Sequence, residues 1–251
     1  MASQERVTAA VLIIGDEILS GRTQDTNLNH IARYLGTLGV DLAEARVVPD
    51  DEGEIVEALN HLRGKYSYVI TTGGIGPTHD DITADAVSRA FGVECVHDPE
   101  AMRLLGAMYE RRGMEFTEAR RRMARMPNGA RHIPNAVSTA PGFIIGNVYV
   151  MAGVPQVFQA MLDALLPQLE AGTKVKSRSV LSPFGEGDIG GPLGEVQKAH
   201  PMTSIGSYPK FDGKSFSTDL VIRARDETLL DAAEADVRAM IEKIAAAKKG
   251  A

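Results

Sequence analysis

The feature that most constrains this fold is a nearly unbroken apolar run, Val7 to Ile14, that stops at Gly15. The run is rich in β-branched and aliphatic residues, which is typical of a strand buried on both faces. Strands of that kind lie inside parallel sheets that carry helices on both sides. Two further strands are predicted at Val40–Val48 and Tyr66–Thr72.

A helix is predicted between each pair of consecutive strands. The first helix has one apolar face and stops at Gly39, and the second follows the acidic stretch Asp50–Glu54. The alternation predicts a doubly wound α/β sheet. Because ligands bind at the carboxyl ends of the strands in such sheets, we expect the loops after Ile14, Val48 and Thr72 on one rim.

Two helices are predicted in the middle of the chain. Asp98 and Pro99 are typical of an N-cap followed by a first-turn proline, and their helix should run to about Arg112. Thr117 is predicted to cap a second helix that carries a run of arginines as far as Arg125. The run could attract an anionic substrate, although a solvated helix face is the commoner role for such a run.

A hairpin and a last helix complete the first part of the chain. Phe143–Val150 predicts two strands that turn at Gly146-Asn147, and Val154-Pro155 opens the helix. The stretch Glu170–Lys176 has few apolar residues and predicts a linker.

The linker divides the chain into an α/β domain of residues 1–172 and a small α+β domain of residues 173–251. For the second domain the sequence predicts strands at Val180–Pro183, Thr203–Tyr208 and Ser217–Ala224, a turn at Asp212-Gly213 and a helix at Leu229–Ala247.

Composition excludes several classes of function. The 251 residues carry a net charge of −6, which opposes nucleic-acid binding. The single cysteine, Cys95, cannot form an internal disulfide and fits a reducing compartment. The first residues do not resemble a signal peptide, and no apolar run is long enough for a membrane span. We therefore expect a cytoplasmic protein without membrane or nucleic-acid partners.

The strongest chemical pattern is the glycine-rich segment between Thr72 and Thr83. Its glycines let backbone amides approach an anion, and the helix that follows offers its N-terminal amides to the same anion. Asp80 and Asp81 are hard oxygen ligands suited to Mg²⁺ shared with phosphates. The alternative is an ordinary strand-to-helix turn with an aspartate as the helix cap.

Two other loops leave strands at the same rim. Glu17 and Asp25 could hold a metal or polarise a water molecule, and Thr26 and Asn27 could bind a polar edge of a ligand. Taken alone, Asp25 or Thr26 could instead cap the next helix, and Asp50 is typical of an N-cap. Together, carboxylates on three converging loops would repel one another, and a divalent ion would offset that repulsion.

A fourth set of segments has no assigned role. The stretch Asn135–Phe143 and the stretch Ala152–Pro155 combine small residues with prolines, which makes stiff turns with exposed amides. These segments are either structural corners or the far wall of a ligand pocket.

Several of these segments occur together in one superfamily. They are Ile14-Gly15-Asp16-Glu17-Ile18-Leu19 with Asp25-Thr26-Asn27, Thr71–Thr78 with Asp80-Asp81-Ile82-Thr83, and Thr139-Ala140-Pro141-Gly142. They resemble the molybdopterin-binding (molybdenum cofactor biosynthesis) superfamily, and most of all the N-terminal part of its CinA (competence/damage-inducible protein A) type. Ala199-His200-Pro201 and Ser204–Pro209 are similar to the small KH-like second domain of that type.

The resemblance implies a three-layer α/β domain with a mostly parallel sheet, a small C-terminal KH-like domain, and a homo-oligomer (dimer or trimer). In its adenylyltransferase branch, the aspartates that match Asp81 and Asp50 serve metal-dependent adenylyl chemistry. In its CinA branch, the domain is associated with metal-dependent hydrolysis of ADP-ribose-type pyrophosphates. The resemblance therefore implies Asp81 and Asp50 as the catalytic pair, and replacing Asp81 with Asn should leave the fold intact and abolish turnover.

The expected function is hydrolysis of ADP-ribose or a similar dinucleotide to AMP. The expected cofactor is a divalent metal ion (Mg²⁺, Mn²⁺, Co²⁺ or Ni²⁺) bound by Asp81, Asp80 and Asp50. The residues expected to bind the nucleotide or pterin ligand and its phosphates are Thr72, Gly73, Gly74, Gly76, Pro77, Thr78, Glu17, Thr26, Asn27, Gly142 and Gly153. Molybdopterin binding or adenylyl transfer, and a non-catalytic nucleotide-binding module, remain open as alternatives.

The chain departs from the CinA pattern in two places. The usual Pro-Gly-Val-Pro-x-Glu-Met is here Ala152-Gly153-Val154-Pro155-Gln156-Val157-Phe158, without the glutamate and the first proline. Full-length relatives add a C-terminal domain that deamidates nicotinamide mononucleotide, and we expect that activity to be absent from a chain that ends at Ala251.

Overall fold

The computed structural model describes residues 6–165, 168–211 and 213–249 of the chain. These residues form two compact units, with the division between Gly172 and Thr173. None of the helices in these ranges is both long and apolar enough to cross a membrane.

The first unit is built on a mostly parallel sheet, as predicted. Its strands are β1 Thr8–Ile14, β2 Asp41–Val48, β3 Tyr68–Thr72, β4 Cys95–His97, β5 Arg125–Pro127, β6 Arg131–Ile133, β7 Gly142–Ile145 and β8 Val148–Met151. Within the described residues, six of them form one sheet in the order β2-β1-β3-β8-β7-β6. Strands β2, β1, β3 and β8 are parallel, whereas β7 and β6 are antiparallel to their neighbours.

Helices cover both faces of this sheet. They are α1 Asp16–Leu19, α2 Asn27–Leu38, α3 Glu52–Lys65, α4 Thr83–Phe91, α5 Pro99–Arg111, α6 Glu118–Arg121 and α7 Pro155–Leu165. Alternate residues of β1 belong to different cores: Leu12 packs with α3, α4 and α5, whereas Val11 packs with α2 and α7. Strand β1 is therefore buried on both faces, and the prediction of a three-layer domain is confirmed.

Most of the predicted helix and turn signals have their expected geometry. Gly39 ends α2 in the left-handed conformation, with φ of 74°. The Asp98 carboxylate caps α5 by accepting a hydrogen bond of 2.8 Å from the Ala101 amide. Strands β7 and β8 pair as the predicted hairpin around Gly146-Asn147.

The predicted helix after Thr117 is shorter than expected. Thr117 caps α6, but α6 ends at Arg121 and a 3-10 turn continues to Ala124. Arg125 is not helical: it begins β5, which pairs with β4. Strands of three residues are too short to show a period in the sequence, and β4, β5 and β6 were therefore missed.

The N-cap of α3 is Asp51 and not Asp50. The Asp51 carboxylate accepts a hydrogen bond of 3.0 Å from the Glu54 amide. The Asp50 carboxylate instead accepts one of 2.9 Å from the Asp16 amide, in the loop after β1. Asp50 therefore bridges two loops, and the prediction that it caps the helix is wrong.

The second unit is a small α+β structure. Its elements are β9 Lys176–Ser182, α8 Glu186–Ala199, β10 Ser204–Phe211, β11 Phe216–Ala224 and α9 Glu227–Lys249. The strands form an antiparallel sheet in the order β10-β11-β9. Strand β9 starts at Lys176, earlier than the predicted Val180, because it pairs along β11 as far as Ala224. The predicted turn includes Asp212, which lies outside the described residues.

One ion-pair cluster on the edge strand β2 should make stability depend on pH. Hydrogen bonds from Tyr66, Arg46 and Lys65 lower the pKa of Glu44 to about 2. Because the pKa of Glu44 is lower in the folded state than in the unfolded chain, its ionised carboxylate stabilises the fold at pH values above its ordinary pKa of 4.5. This stabilisation is lost as the pH falls from 4.5 toward 2. Glu44→Gln should therefore lower Tm at pH 7, and the difference from wild type should shrink between pH 4.5 and pH 3. Thermal melts across this range test this, with Glu57→Gln on the exposed surface of α3 as the control.

Candidate functional site

The loops that follow the parallel strands converge on one edge of the sheet. Ile14 lies beside Val48, and Thr72 lies beside Met151, so the four strands end level with one another. The Gly73 amide donates a hydrogen bond of 3.2 Å to the Met151 carbonyl, which ties the glycine-rich loop to the end of β8. The predicted convergence of the loops after β1, β2 and β3 is confirmed, and the loop after β8 joins them.

Gly73 is required by close packing at this rim. Its φ is 109°, and a Cβ there would lie 2.1 Å from the carbonyl oxygen of Ile14. A side chain would push the loop after β3 away from the end of β1. Since its amide already bonds to Met151, Gly73 serves close approach of two backbone segments, and its N–H is not available to a phosphate.

The Asp81 carboxylate holds the glycine-rich loop together. Its Oδ1 accepts from the Gly76 amide at 2.7 Å, and its Oδ2 accepts from the Thr78 amide at 2.8 Å and from the Thr78 hydroxyl at 2.5 Å. The predicted phosphate contact of the Gly76 amide is thus already made to Asp81. In the described residues, the amides of Gly74 and Ile75, next to the end of β3, form no hydrogen bond to the protein, which places them among the loop donors open to a ligand.

Arg122 braces the same loop from outside. Its Nε donates 3.2 Å to the Thr78 carbonyl, and its Nη2 donates 3.1 Å to the Asp81 carbonyl. The loop is therefore fixed by a carboxylate on its inner side and by a guanidinium on its outer side. Sequence reasoning favoured a solvated face for this arginine run, and it missed this contact because the partner lies 41 positions earlier in the chain.

Asp50 lies among other negative charges. Burial raises its pKa, and the charges of Asp16, Glu17 and Asp80 raise it further, while the hydrogen bond from the Asp16 amide acts in the opposite direction. Asp80 projects from the glycine-rich loop with 61% of its side chain exposed. The proximity of the Thr78 side chain, with the backbone amide of Asp80 itself, lowers the pKa of Asp80, so its carboxylate is ionised at neutral pH.

These carboxylates fit a divalent cation only in part. Across the described ranges, no three His, Cys, Asp or Glu side chains are grouped closely enough to hold a metal ion by themselves. Asp81 is engaged within its loop, which leaves Asp50 and Asp80 as the predicted ligands with the chemistry to hold one. Mg²⁺ is often bound by one or two carboxylates completed by substrate phosphates and water, and this donor set matches that pattern.

A cleft lies between the start of α2 and the ends of β3 and β8. Its volume is about 50 Å³. Residues from three separate parts of the chain line it, and those predicted as ligand-binding are Glu17, Thr26, Asn27, Thr72, Gly73 and Gly153. Sequence reasoning missed Thr23 and Gln24 as lining residues, because no motif marked them, whereas Pro155 belongs to the stretch that was suggested as the far wall of a pocket.

The other predicted ligand-binding residues lie outside this cleft. Gly74, Gly76, Pro77 and Thr78 belong to the loop after β3, with Pro77 and Thr78 exposed. Gly142 is the first residue of β7, and a Cβ there would lie 2.4 Å from the Val150 carbonyl oxygen. Gly142 is therefore a packing glycine of the hairpin.

Asn27 ties the floor of the cleft together. Its Nδ2 donates to the Thr72 hydroxyl at 2.9 Å and to the Gly153 carbonyl at 2.8 Å. The Thr72 hydroxyl in turn donates to the Ala152 carbonyl at 3.1 Å. One amide side chain thus joins α2 to the ends of β3 and β8. Asp25, and not the side chain of Thr26, caps α2, since it accepts 2.9 Å from the Leu28 amide.

The segment before β7 is a rigid corner at the same rim. Buried Asn135 accepts from the Val137 amide at 2.8 Å and donates to the Ala140 carbonyl at 3.1 Å. Thr139 has φ of 68°, a left-handed conformation that is uncommon for a residue with a branched Cβ. Because β7 runs antiparallel to β8, this corner lies at the edge where β8 ends. It is preorganised on the site side of the sheet.

Comparisons with known proteins agree with this architecture. The family described as "Probable molybdopterin binding domain" matches residues 10–171, and "FAD synthase, middle domain" matches residues 174–249. A protein of Caldivirga maquilingensis is 42% identical over 209 residues, which cover 80% of this chain and 81% of the relative. The chain belongs to the molybdopterin-binding domain family, and it is of the CinA type.

Two further relatives support the CinA type. A "CinA-like protein" of Citrifermentans bemidjiense is 42% identical over 185 residues, and these cover 70% of this chain but only 44% of that protein. The crystal structure of "the protein CinA with unknown function" from Thermoplasma acidophilum has a TM-score of 0.60 at 33% identity, covering 65% of this chain and 98% of that one. The chain thus spans less than half the length of the bacterial CinA-like relative.

Removing the outer brace should loosen the loop of this CinA-type domain without unfolding it. Arg122→Ala deletes two charge-assisted hydrogen bonds to carbonyls, and we expect the Gly76 and Thr78 amides to exchange about fivefold faster, as for a local loss of about 1 kcal/mol. Hydrogen–deuterium exchange measures this. Arg121→Ala, in the adjacent exposed ion pair with Glu118, should leave these amides unchanged.

Asp81 and Asp80 should differ in their effect on stability. In Asp81→Asn, an NH₂ group replaces one of the two carboxylate oxygens that accept hydrogen bonds. The new NH₂ donor would then lie against the backbone N–H of either Gly76 or Thr78, and that backbone N–H would lose its acceptor. The expected cost is about 1–3 kcal/mol, or a Tm lower by roughly 2–12 °C. The expectation that Asp81→Asn leaves the fold untouched therefore conflicts with this network. Asp80→Asn, at an exposed site, should change Tm by less than about 1 °C. Equal melting of the two variants would contradict a loop-holding role for Asp81.

Proposed function

We propose that this CinA-type domain hydrolyses the pyrophosphate bond of ADP-ribose, or of a similar dinucleotide such as FAD, with the help of a divalent metal ion. The observation that carries the proposal is the convergence of the loops after β1, β2 and β3 at one rim, where the Asp50 carboxylate accepts a hydrogen bond from the Asp16 amide. Burial, together with the charges of Asp16, Glu17 and Asp80, raises the pKa of Asp50 there. Negative charges gathered at the carboxyl ends of parallel strands favour a cation there, and a cation with phosphates would offset their repulsion.

The family assignments support a nucleotide or a nucleotide-like ligand. The first unit matches a probable molybdopterin-binding domain, and the second matches the middle domain of FAD synthase. Molybdopterin and FAD both carry phosphate, and FAD contains the pyrophosphate that the proposed reaction cleaves. The CinA-like relatives belong to the same family, and their similarity supports the same class of ligand through that family membership.

Each residue of the rim would have a distinct part in the reaction. Asp50 and Asp80 would hold the metal together with the substrate phosphates, and the metal would supply charge neutralisation and Lewis acidity. The amides of Gly74 and Ile75 would donate to non-bridging phosphate oxygens. Glu17, exposed at the cleft, would accept a proton from the attacking water. Addition of water to one phosphorus and cleavage of the bridging P–O bond gives AMP and ribose 5-phosphate.

Molybdopterin binding is the second candidate, and the matched family description favours it. The rigid corner at Asn135–Ala140 and the cleft beside α2 would then form the pterin pocket. A homo-oligomer, implied by the resemblance to the superfamily, belongs to the proposal in either case, and light scattering after size-exclusion chromatography measures it.

Replacing Asp50 should abolish AMP release without loss of stability. Purified protein is incubated with ADP-ribose, FAD or NAD and with Mg²⁺, Mn²⁺, Co²⁺ or Ni²⁺, and AMP is followed by chromatography. Asp50→Asn should reduce turnover by at least about 10–100-fold, the loss that a change beside a metal ligand already causes. Its Tm should be unchanged or higher at pH 7, because a raised pKa means that the ionised carboxylate destabilises the fold above that pKa.

The neighbouring aspartate provides a matched control. Asp51→Asn keeps an N-cap of equal quality on α3, so that both Tm and turnover should resemble wild type. AMP release by Asp50→Asn at the wild-type rate would contradict the role of Asp50. Absence of AMP with every substrate and metal would reject the hydrolase, and molybdopterin binding would be tested next.

A further inference from the structure

We propose that the cleft beside Asn27 binds a hydrogen-bond donor of the nucleotide, a ribose hydroxyl or the adenine amino group, and that Asn27 accepts this bond through Oδ1. The inference deepens the proposed function and rests on it, since it concerns how the same ligand is oriented. It also makes the role first expected for Asn27 more specific, since the sequence predicted that Asn27 binds a polar edge of the ligand or its phosphates.

The orientation of the Asn27 amide is fixed by its partners. Its two Nδ2 protons go to Thr72 Oγ1 and to the Gly153 carbonyl, at 2.9 and 2.8 Å. The Gly153 carbonyl can only accept, and the Thr72 hydroxyl spends its proton on the Ala152 carbonyl. A flipped amide would place Oδ1 against two acceptors. The atom on the other side of the amide is therefore the carbonyl oxygen.

That oxygen lacks a partner. Asn27 is 3% exposed, and within the described part of the chain its Oδ1 is buried without a hydrogen bond. A buried acceptor left unpaired costs about 1–3 kcal/mol, so a donor brought to it regains free energy. No backbone amide of the described helices and strands donates to Asn27 Oδ1, and Asn27 is one of the residues that line the cleft.

The chemistry of the cleft selects which end of the ligand can enter. Phosphate oxygens are acceptors, and next to Asn27 Oδ1 they would meet another acceptor. The loop amides of Gly74 and Ile75 suit the phosphates instead. The ligand would thus lie with its phosphates at the glycine-rich loop and a neutral donor group at Asn27.

The size of the cleft favours a small group over a whole ring. Its volume is about 50 Å³, and a water molecule takes about 30 Å³ in the liquid. One or two hydroxyl-sized groups fit this space, such as a ribose edge or an exocyclic amine. The bulk of the nucleotide would remain at the cleft mouth, near exposed Gln24 and Thr26.

Binding of ligand analogues tests the inference on wild-type protein. Dissociation constants are measured by calorimetry for ADP-ribose, for its adenosine 2′-deoxy and 3′-deoxy forms, for the form without the adenine amino group, and for ADP, which lacks the terminal ribose. The donor that reaches Asn27 should be revealed by about tenfold weaker binding of one analogue, which corresponds to one hydrogen bond of about 1.4 kcal/mol. The other analogues should bind within about twofold of ADP-ribose.

A thermodynamic cycle assigns the effect to Asn27. In Asn27→Ala, that analogue and ADP-ribose should bind with equal affinity, because the acceptor is gone. In Asn29→Ala, two residues along the same helix, the analogue should still bind about tenfold more weakly than ADP-ribose. If Asn27→Ala does not fold, judged by circular dichroism, the wild-type ligand series still decides. Equal binding of every analogue would overturn the inference and leave the hydrolase standing. Failure of ADP-ribose to bind at all would overturn the hydrolase and the inference together.

Discussion

Strand β1 has to be buried on both faces, because its successive side chains belong to two different apolar cores. A strand in that position can only be central, with helices above and below it. The chain meets this constraint with parallel neighbours on both sides, β2 and β3, and each parallel connection requires a crossover helix. The same parallel arrangement brings the carboxyl ends of β1, β2, β3 and β8, and the loops that follow them, to a single rim.

The rim is then shaped by contacts between loops that are distant in sequence. Gly73 allows the loop after β3 to lie against the end of β1, and Asp50 reaches across from the end of β2 to the Asp16 amide. Asn27 joins the start of α2 to β3 and β8. Within the described residues, these contacts leave amide donors on the glycine-rich loop and the side-chain oxygen of Asn27 without a hydrogen bond. A ligand with both phosphates and hydroxyls complements the two.

Two aspartates that are adjacent in sequence have opposite roles, and this explains how the site can be charged without unfolding. Asp81 accepts hydrogen bonds from the Gly76 and Thr78 amides and so stabilises its loop, whereas the Asp80 side chain is exposed to solvent. The pair Asp50 and Asp51 divides in the same way between a rim position and a helix cap. Each pair combines a residue that secures local structure with one whose charge is available to a cation. Burial, together with repulsion from the neighbouring carboxylates, raises the pKa of Asp50, and this is the energetic cost of keeping a charge at the rim.

The sequence by itself determined the alternation of strands and helices, the caps at Asp98 and Gly39, and the set of loops that would meet, because periodicity and capping are local properties. Its motifs also determined the family. Only the tertiary structure decided which aspartate faces its own loop. It also decided that Arg122 braces the glycine-rich loop and that Asn27 bonds to residues 45 and 126 positions away. The physical reason is that a hydrogen bond between distant residues depends on how the strands are placed in the sheet. No local pattern records that placement.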